Sequence, residues 1–294
     1  MADVLDLLVS IAEAGCIYGL VALAFLVIIK PTGIINFCIG EWSMLGGLIG
    51  VSWFVQLSTP YAIALPATVL SCGLIAYLVE LAFVAPLIER NAPILSSVLV
   101  LLGLMIVTRE AAGWIYGNVN IYSPPPFGLA PLRFGSFNAS PQTAFVVATT
   151  LVVFGACWFF FEKTVWGKAF QAVAINRGAA GLMGINLARV TALSFAAGGA
   201  IAGLAGTLES PITSAYYMVG LPLAVKGFSA LVIGGVGRVE GALYGGLLLA
   251  FAEKVSIRFL PLPSGIALGM PLLLIILFLT MRPTGLVGSD AAAR

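Results

Sequence analysis

Residues 42–79 read WSMLGGLIGVSWFVQLSTPYAIALPATVLSCGLIAYLV and contain no charged side chain. Two further runs, 141–161 and 264–281, are also uncharged. A helix crosses the hydrocarbon core of a bilayer with about 20 apolar residues, so these runs read as membrane spans. Composition agrees. Hydrophobic residues make up 61% of the 294 and charged residues 9%, with a mean hydropathy of +1.10, against about 25% charged in a soluble domain. The chain is expected to be an all-α polytopic membrane protein.

About nine apolar segments follow one another, near 5–29, 36–57, 61–83, 93–115, 141–161, 187–208, 222–236, 240–258 and 265–281. Breaks fall at Lys30-Pro31-Thr32-Gly33, Ser58-Thr59-Pro60, Glu89-Arg90-Asn91, Pro124-Pro125-Pro126 and Pro261-Leu262-Pro263. The 222–236 segment is short and reads as a re-entrant or half helix. The longest polar insert, 116–140, is rich in proline and glycine and reads as a surface loop. No polar stretch is long enough to fold alone, so 1–294 is expected to be one membrane domain. Asp3, Asp6 and Glu13 stand where a cleavable leader would carry bases, so the first apolar run reads as a signal anchor.

Lysine and arginine set the expected orientation. Alternate connections carry Lys30; Arg90; Lys163, Lys168 and Arg177; Arg238; and Arg282 with Arg294. The opposite side carries Arg133, with Lys254 and Arg258 near the end of a span. The N-terminus and the 116–140 loop are therefore expected outside and the C-terminus in the cytoplasm, for a multi-pass protein of a bacterial cytoplasmic (inner) membrane.

Several chemistries are excluded. The chain has no histidine, which removes the usual imidazole acid–base and metal chemistry. Cys16, Cys38, Cys72 and Cys157 are scattered through apolar stretches and read as small buried hydrophobes. No metal site, catalytic residue or cofactor is expected. The net charge of +2 gives no reason to expect nucleic acid. Gly234-Gly235-Val236-Gly237-Arg238 lacks the Gly-Lys-[Ser/Thr] ending of a phosphate loop and reads as a turn. Without a nucleotide motif, energy for any transport must come from a partner that uses ATP or from an ion gradient.

Ile34-Ile35-Asn36-Phe37-Cys38-Ile39-Gly40-Glu41 is the sharpest local motif. A carboxylate at membrane depth is costly and faces a bundle interior or a water path; in the first turn of a helix it also meets the positive dipole end. Glu41 is read as a helix-end anchor, a gate, or a solute contact, with Asn36 and Gly40 beside it on the translocation pathway near its cytoplasmic gate. Glu13, Glu80 and the neighbours Arg109-Glu110 are the other ionisable residues noted in spans, the last two pairing or snorkelling near an outer helix end. Gly46/Gly50, Gly199/Gly203 and Gly241/Gly245 each line one helix face and permit close approach in lipid; one of these faces is expected to meet a second subunit. Lys30-Pro31-Thr32-Gly33 and Arg282-Pro283-Thr284-Gly285 echo each other as helix-stop turns.

Residues 164–186 form the polar, basic interruption between two spans. Trp166, Phe170 and Val173 fall on one helical stripe. With Gly167, Lys168 and Arg177 they are read as a cytoplasmic helix on which a partner docks. An interfacial helix lying on lipid headgroups is the other reading.

These segments together resemble a known family. Asn36-Phe37-Cys38-Ile39-Gly40-Glu41 is similar to the Asn-Phe-Ala-x-Gly-Glu signature of the first (LivH-like) permease of branched-chain amino acid ABC importers. The loop from Gly167 through Gly184-Ile185-Asn186, the glycine-alanine helix 196–206, the stretch 226–237 and the closing Arg282-Pro-Thr-Gly-Leu-Val-Gly match in the same order, over about 15–288. Cys38 stands where the family has alanine, and the loop lacks the Glu-Ala-Ala triplet of other importers. The resemblance implies the larger, type II-like class of importer permease with about eight or nine transmembrane helices. It also implies a second permease subunit (LivM-like), two ATPase subunits that use the ATP and couple to this chain at 164–186, and a periplasmic solute-binding protein. Implied solutes are branched-chain amino acids, or urea, short amides or aromatic acids. An ion-coupled secondary transporter is the remaining reading.

Overall fold

The structure, a computed structural model, describes residues 2–128, 132–134, 137–259, 264–281 and 285–287. Twelve helices are seen among them: α1 (Ala2–Thr32), α2 (Cys38–Val51), α3 (Tyr61–Val79), α4 (Ala85–Glu89), α5 (Ile94–Tyr116), α6 (Pro141–Lys163), α7 (Val165–Ile175), α8 (Arg177–Leu182), α9 (Leu187–Thr213), α10 (Gly220–Gly234), α11 (Val239–Phe259) and α12 (Ser264–Met281). Wider π-type turns continue α2 over Ser52–Gln56 and join α3 to α4 over Glu80–Val84. In the insert read as a loop, β1 (Leu132–Phe134) and β2 (Phe137–Ala139) form a short antiparallel hairpin. The break at 261–263, residues 282–284 and Arg294 lie outside the described residues.

Among the described residues six helices are long and apolar enough to cross a bilayer, and the pair α10–α11, bent by 117°, makes a seventh if it is one span. Of the nine expected segments, 222–236 and 240–258 are joined by the turn at Gly235 and Gly237 into that bent pair. The ninth expected segment is the helix α12.

Helix boundaries follow the local chemistry. Pro60 and Pro93 precede α3 and α5, where a missing N–H costs nothing. Asn176 and Asn186 cap α8 and α9, their side-chain oxygens accepting from Ala179 N and Arg189 N at 3.0 Å. Both helix-stop turns place glycine in the left-handed region, with φ of 70° at Gly33 and 76° at Gly285. Polar side chains inside the apolar helices bond to their own turn: the hydroxyls of Ser43, Thr68, Ser194 and Ser229 donate to carbonyls four residues back. In lipid that local bond replaces the missing water.

The chain divides into two compact units. One consists of 1–23, 124–154 and 225–294. Within it, α10 and α11 meet through Gly234, Gly241 and Gly245, where a side chain would strike the opposite backbone. The other consists of 24–123 and 155–224, with α2, α3 and α9 at its centre. Trp42 is buried and meets Phe195 edge-on at 6.1 Å. Gly46 lies on the Gly203 backbone, Gly206 on Ser43, Gly50 on Thr207, and Gly199 and Gly203 on Ala76 and Cys72. All three glycine faces thus pack inside this chain. This corrects the expectation that one of them meets a second subunit: small residues here bring backbones of one bundle together.

A methyl group at Gly206 must displace the Ser43 backbone, whereas one at Gly103 meets open space. Gly206→Ala is expected to destabilise by about 1–3 kcal/mol, and Gly103→Ala to leave stability unchanged or raise it. Thermal unfolding of the purified chain in detergent checks both.

Candidate functional site

Residues 33–37 separate α1 from α2, and their backbone is held at the α2 end by Asn36. Its Oδ1 accepts from Cys38 N at 2.9 Å, while its Nδ2, fully buried, finds no partner among the described residues. The Cys38 thiol donates to the carbonyl of Leu101 at 2.8 Å. Leu101 lies about 10 Å along α5 from Ile94 at 1.5 Å per residue. The start of α2 is therefore level with the interior of a spanning helix.

Glu41, in the first turn of α2, is wholly buried. Its Oε1 accepts from both Nε and a terminal guanidinium nitrogen of Arg109, with Nε at 3.2 Å. Gly220, the first residue of α10, lies directly over the carboxylate, and any side chain there would run into it. One carboxylate thus meets a guanidinium and the positive ends of two helices. Its Oε2 accepts no hydrogen bond from the described residues. Gly40 packs on the Gly220 carbonyl and Ala224. The sequence reading paired Arg109 with Glu110 or sent it to an outer surface. The structure turns Arg109 inward to an acid 68 positions away. The available signal was charge balance: a lone arginine within a span needs an acid, and Glu41 needed a base.

A second buried pair was missed altogether. Lys226 donates to Glu253 Oε1 and to the Tyr18 hydroxyl, each at 2.8 Å, and lies over the Tyr18 ring. Both charged residues sit in segments whose apolar neighbours hid them.

The segment read as a coupling helix is α7 with α8, and its orientation corrects the reading. Thr164 caps α7 by accepting from Gly167 N at 3.0 Å. Phe170 and Val173 are buried, Phe170 against the rings of Phe160 and Phe161 at 5.6 and 6.1 Å. Gly167 rests on the Phe160 backbone. The apolar stripe therefore faces the chain's own α6, because the aromatic end of α6 offers it an intramolecular surface. Trp166 is half exposed, and Lys168 is exposed and pairs with Glu162 at 3.3 Å. Arg177 donates to Thr191 Oγ1 at 3.1 Å. Burial draws its guanidinium below the usual value and the nearby Glu80 carboxylate opposes the shift. The exposed apolar residues are instead Val165 and Ile175 at the two ends of α7, 86% and 87% exposed, and Leu182 and Met183 at the end of α8, 92% and 83% exposed.

At the other end of the same unit, the turn after α9 meets the start of the 116–140 insert. Ile121 and Ala215 exchange two backbone hydrogen bonds of 2.9 Å, Ser210 donates to Ser123 at 3.3 Å, and Tyr216 donates to Asn118 at 2.8 Å.

Removing one partner of a buried pair leaves an uncompensated charge, so Arg109→Gln is expected to cost about 3–5 kcal/mol. Glu41→Gln keeps the shape and leaves Arg109 an amide oxygen as acceptor, and the Arg109 side chain is 18% exposed where that of Glu41 is fully buried; it should cost less. Unfolding temperatures of the two purified variants give the order.

The comparisons with known proteins agree with this architecture. Residues 7–281 match the family model described as branched-chain amino acid transport system / permease component. The high-affinity branched-chain amino acid transport system permease protein LivH of Salmonella typhimurium is 28% identical over 93% of this chain and 92% of its own length. The corresponding protein BraD of Pseudomonas aeruginosa is 29% identical over 97% and 95%. The ribose import permease protein RbsC of Haemophilus influenzae is 23% identical over 85% and 76%. With a family model covering nearly its whole length and several spanning helices in its fold, the chain belongs to the family of branched-chain amino acid transport system permease components.

Proposed function

We propose that this chain is the first permease of an ATP-driven importer for branched-chain amino acids or closely related small solutes. It would work with a second permease, two ATPase subunits and a periplasmic binding protein in the inner membrane. The observation that carries the reading is the buried cluster of Asn36, Glu41 and Arg109 on a helix start at membrane depth. It leaves one amide donor, Asn36 Nδ2, and one carboxylate acceptor, Glu41 Oε2, without hydrogen-bond partners among the described residues. Those are complementary to the carboxylate and ammonium that every α-amino acid carries. Burying them unpaired is unfavourable, so the cluster suits transient contact with a zwitterion as the pathway opens. Glu41 then serves as a gate, with Arg109 holding it closed between solute passages. The ribose relative matches less of the chain at lower identity, and sugars have no need of an acid–base pair of this kind.

Chemical energy enters through the partners, since the chain carries no nucleotide motif. Leu182 and Met183, at the end of α8, supply the contact with an ATPase. Arg177, bonded to Thr191 on α9, carries its movement inward. The α7–α8 side is the cytoplasmic one on this reading, with the N-terminus outside and the C-terminus inside. The binding protein would deliver solute at the opposite end, where 118–123 meet 210–216.

Reconstitution tests the proposal. Liposomes holding this chain alone should show no ATP-dependent leucine uptake, and the second permease, the ATPases and the binding protein should each be required. In the complete complex, Leu182→Asp with Met183→Asp should abolish ATPase co-purification, whereas Phe170→Ala should lower yield through lost packing. Uptake by the single chain driven by a proton or sodium gradient would overturn the assignment.

A further inference from the structure

An apolar groove of about 550 Å³ opens on the surface of the unit built from 24–123 and 155–224. That volume lies within the roughly 300–1,000 Å³ of small-ligand sites. Its walls include Val27, Cys157, Phe161, Trp166, Leu193 and Ile201. These come from the later part of α1, the end of α6, the start of α7 and the first half of α9. The groove therefore lies where the spanning helix α6 ends and the amphipathic α7 turns off it, which is the level of a bilayer interface. Trp158 and Trp166 are both partly exposed beside it, as anchors at that level are.

The rim is cationic. Lys30 Nζ lies 5.3 Å from the centroid of the Phe161 ring, and Lys163 Nζ lies 5.9 Å from that of Trp158. Lys168 follows on α7 and pairs with Glu162, which the charge of Lys30 also reaches. Lys163, outside that acid's pairing with Lys168, puts a positive charge on the rim of an apolar slot. Basic pockets between helices at a membrane surface hold anionic headgroups, while the slot takes a hydrocarbon chain and excludes water.

We propose that this groove binds one acyl chain of an anionic phospholipid, with its phosphate held by Lys163. The lipid seats against Trp166 and Phe161, so it braces α7 on α6. The charge of the surrounding bilayer is thereby coupled to the position of the segment that carries α8.

Native mass spectrometry of the full chain released from phosphatidylglycerol/phosphatidylcholine nanodiscs tests this. The wild type should retain phosphatidylglycerol in preference to phosphatidylcholine. A surface lysine contributes about fivefold, so Lys163→Gln should lower retention by about fivefold. Ala197→Phe, at an exposed lining position, should block the slot and remove retention with helicity unchanged. It keeps the test decisive should the lysine variant fold poorly. Maleimide labelling gives an independent readout, because Cys157 lines the slot while Cys16, Cys38 and Cys72 are buried. Labelling of the chain alone should be slower in phosphatidylglycerol than in phosphatidylcholine. Equal retention of the two lipids, retention unaffected by both variants, or protection of Cys157 only on co-expression of the second permease would overturn the proposal, the last by making the groove a subunit interface.

Discussion

A carboxylate buried in the interior of a membrane protein must be compensated on every side, and Glu41 sets that requirement for the unit built from 24–123 and 155–224. Arg109 supplies the countercharge, the first turn of α2 supplies one helix end, and Gly220 brings the end of α10 against the same group. Each demand restricts a different element. The thiol–carbonyl contact between Cys38 and Leu101 sets α2 against α5 beside Arg109. Gly220 and Gly40 must lack side chains for α10 to reach the carboxylate.

The rest of that unit follows from close approach. Where lipid removes the hydrophobic force between helices, contact depends on backbones meeting over small residues. Gly46, Gly203 and Gly206 let α2 and α9 touch, and Thr207 adds a hydroxyl bond from one helix to the carbonyl of Gly46 at 3.0 Å. A bundle held this way tolerates little added volume at its seams, and its exposed outer faces are free to vary.

Much of this was legible in the chain. Uncharged runs marked the spans, prolines marked several of their ends, and the Asn36–Glu41 motif marked where a carboxylate is buried. What periodicity could not supply was partnership. Arg109 and Glu41 lie 68 positions apart, and nothing local to either names the other. Lys226 and Glu253 were read past because hydropathy averages over a window. The α7 stripe was read correctly as apolar but assigned to the wrong neighbour. An amphipathic helix shows which face is buried and says nothing of what buries it, and here the covering surface is Phe160 and Phe161 of the preceding helix. The glycine faces failed in the same way: small residues announce a close contact without saying whether the partner is the same chain.

The central claim is that the Glu41–Arg109 pair works as a gate and is more than a structural tie. Leucine uptake by the complete complex carrying Glu41→Gln together with Arg109→Gln tests it most directly, measured beside the unfolding temperature of the same preparation. Removing both charges together leaves no buried ion unpaired, so stability should return close to that of the wild type. The account predicts that uptake nevertheless stays low. Uptake restored along with stability would contradict it and reduce the pair to a structural role.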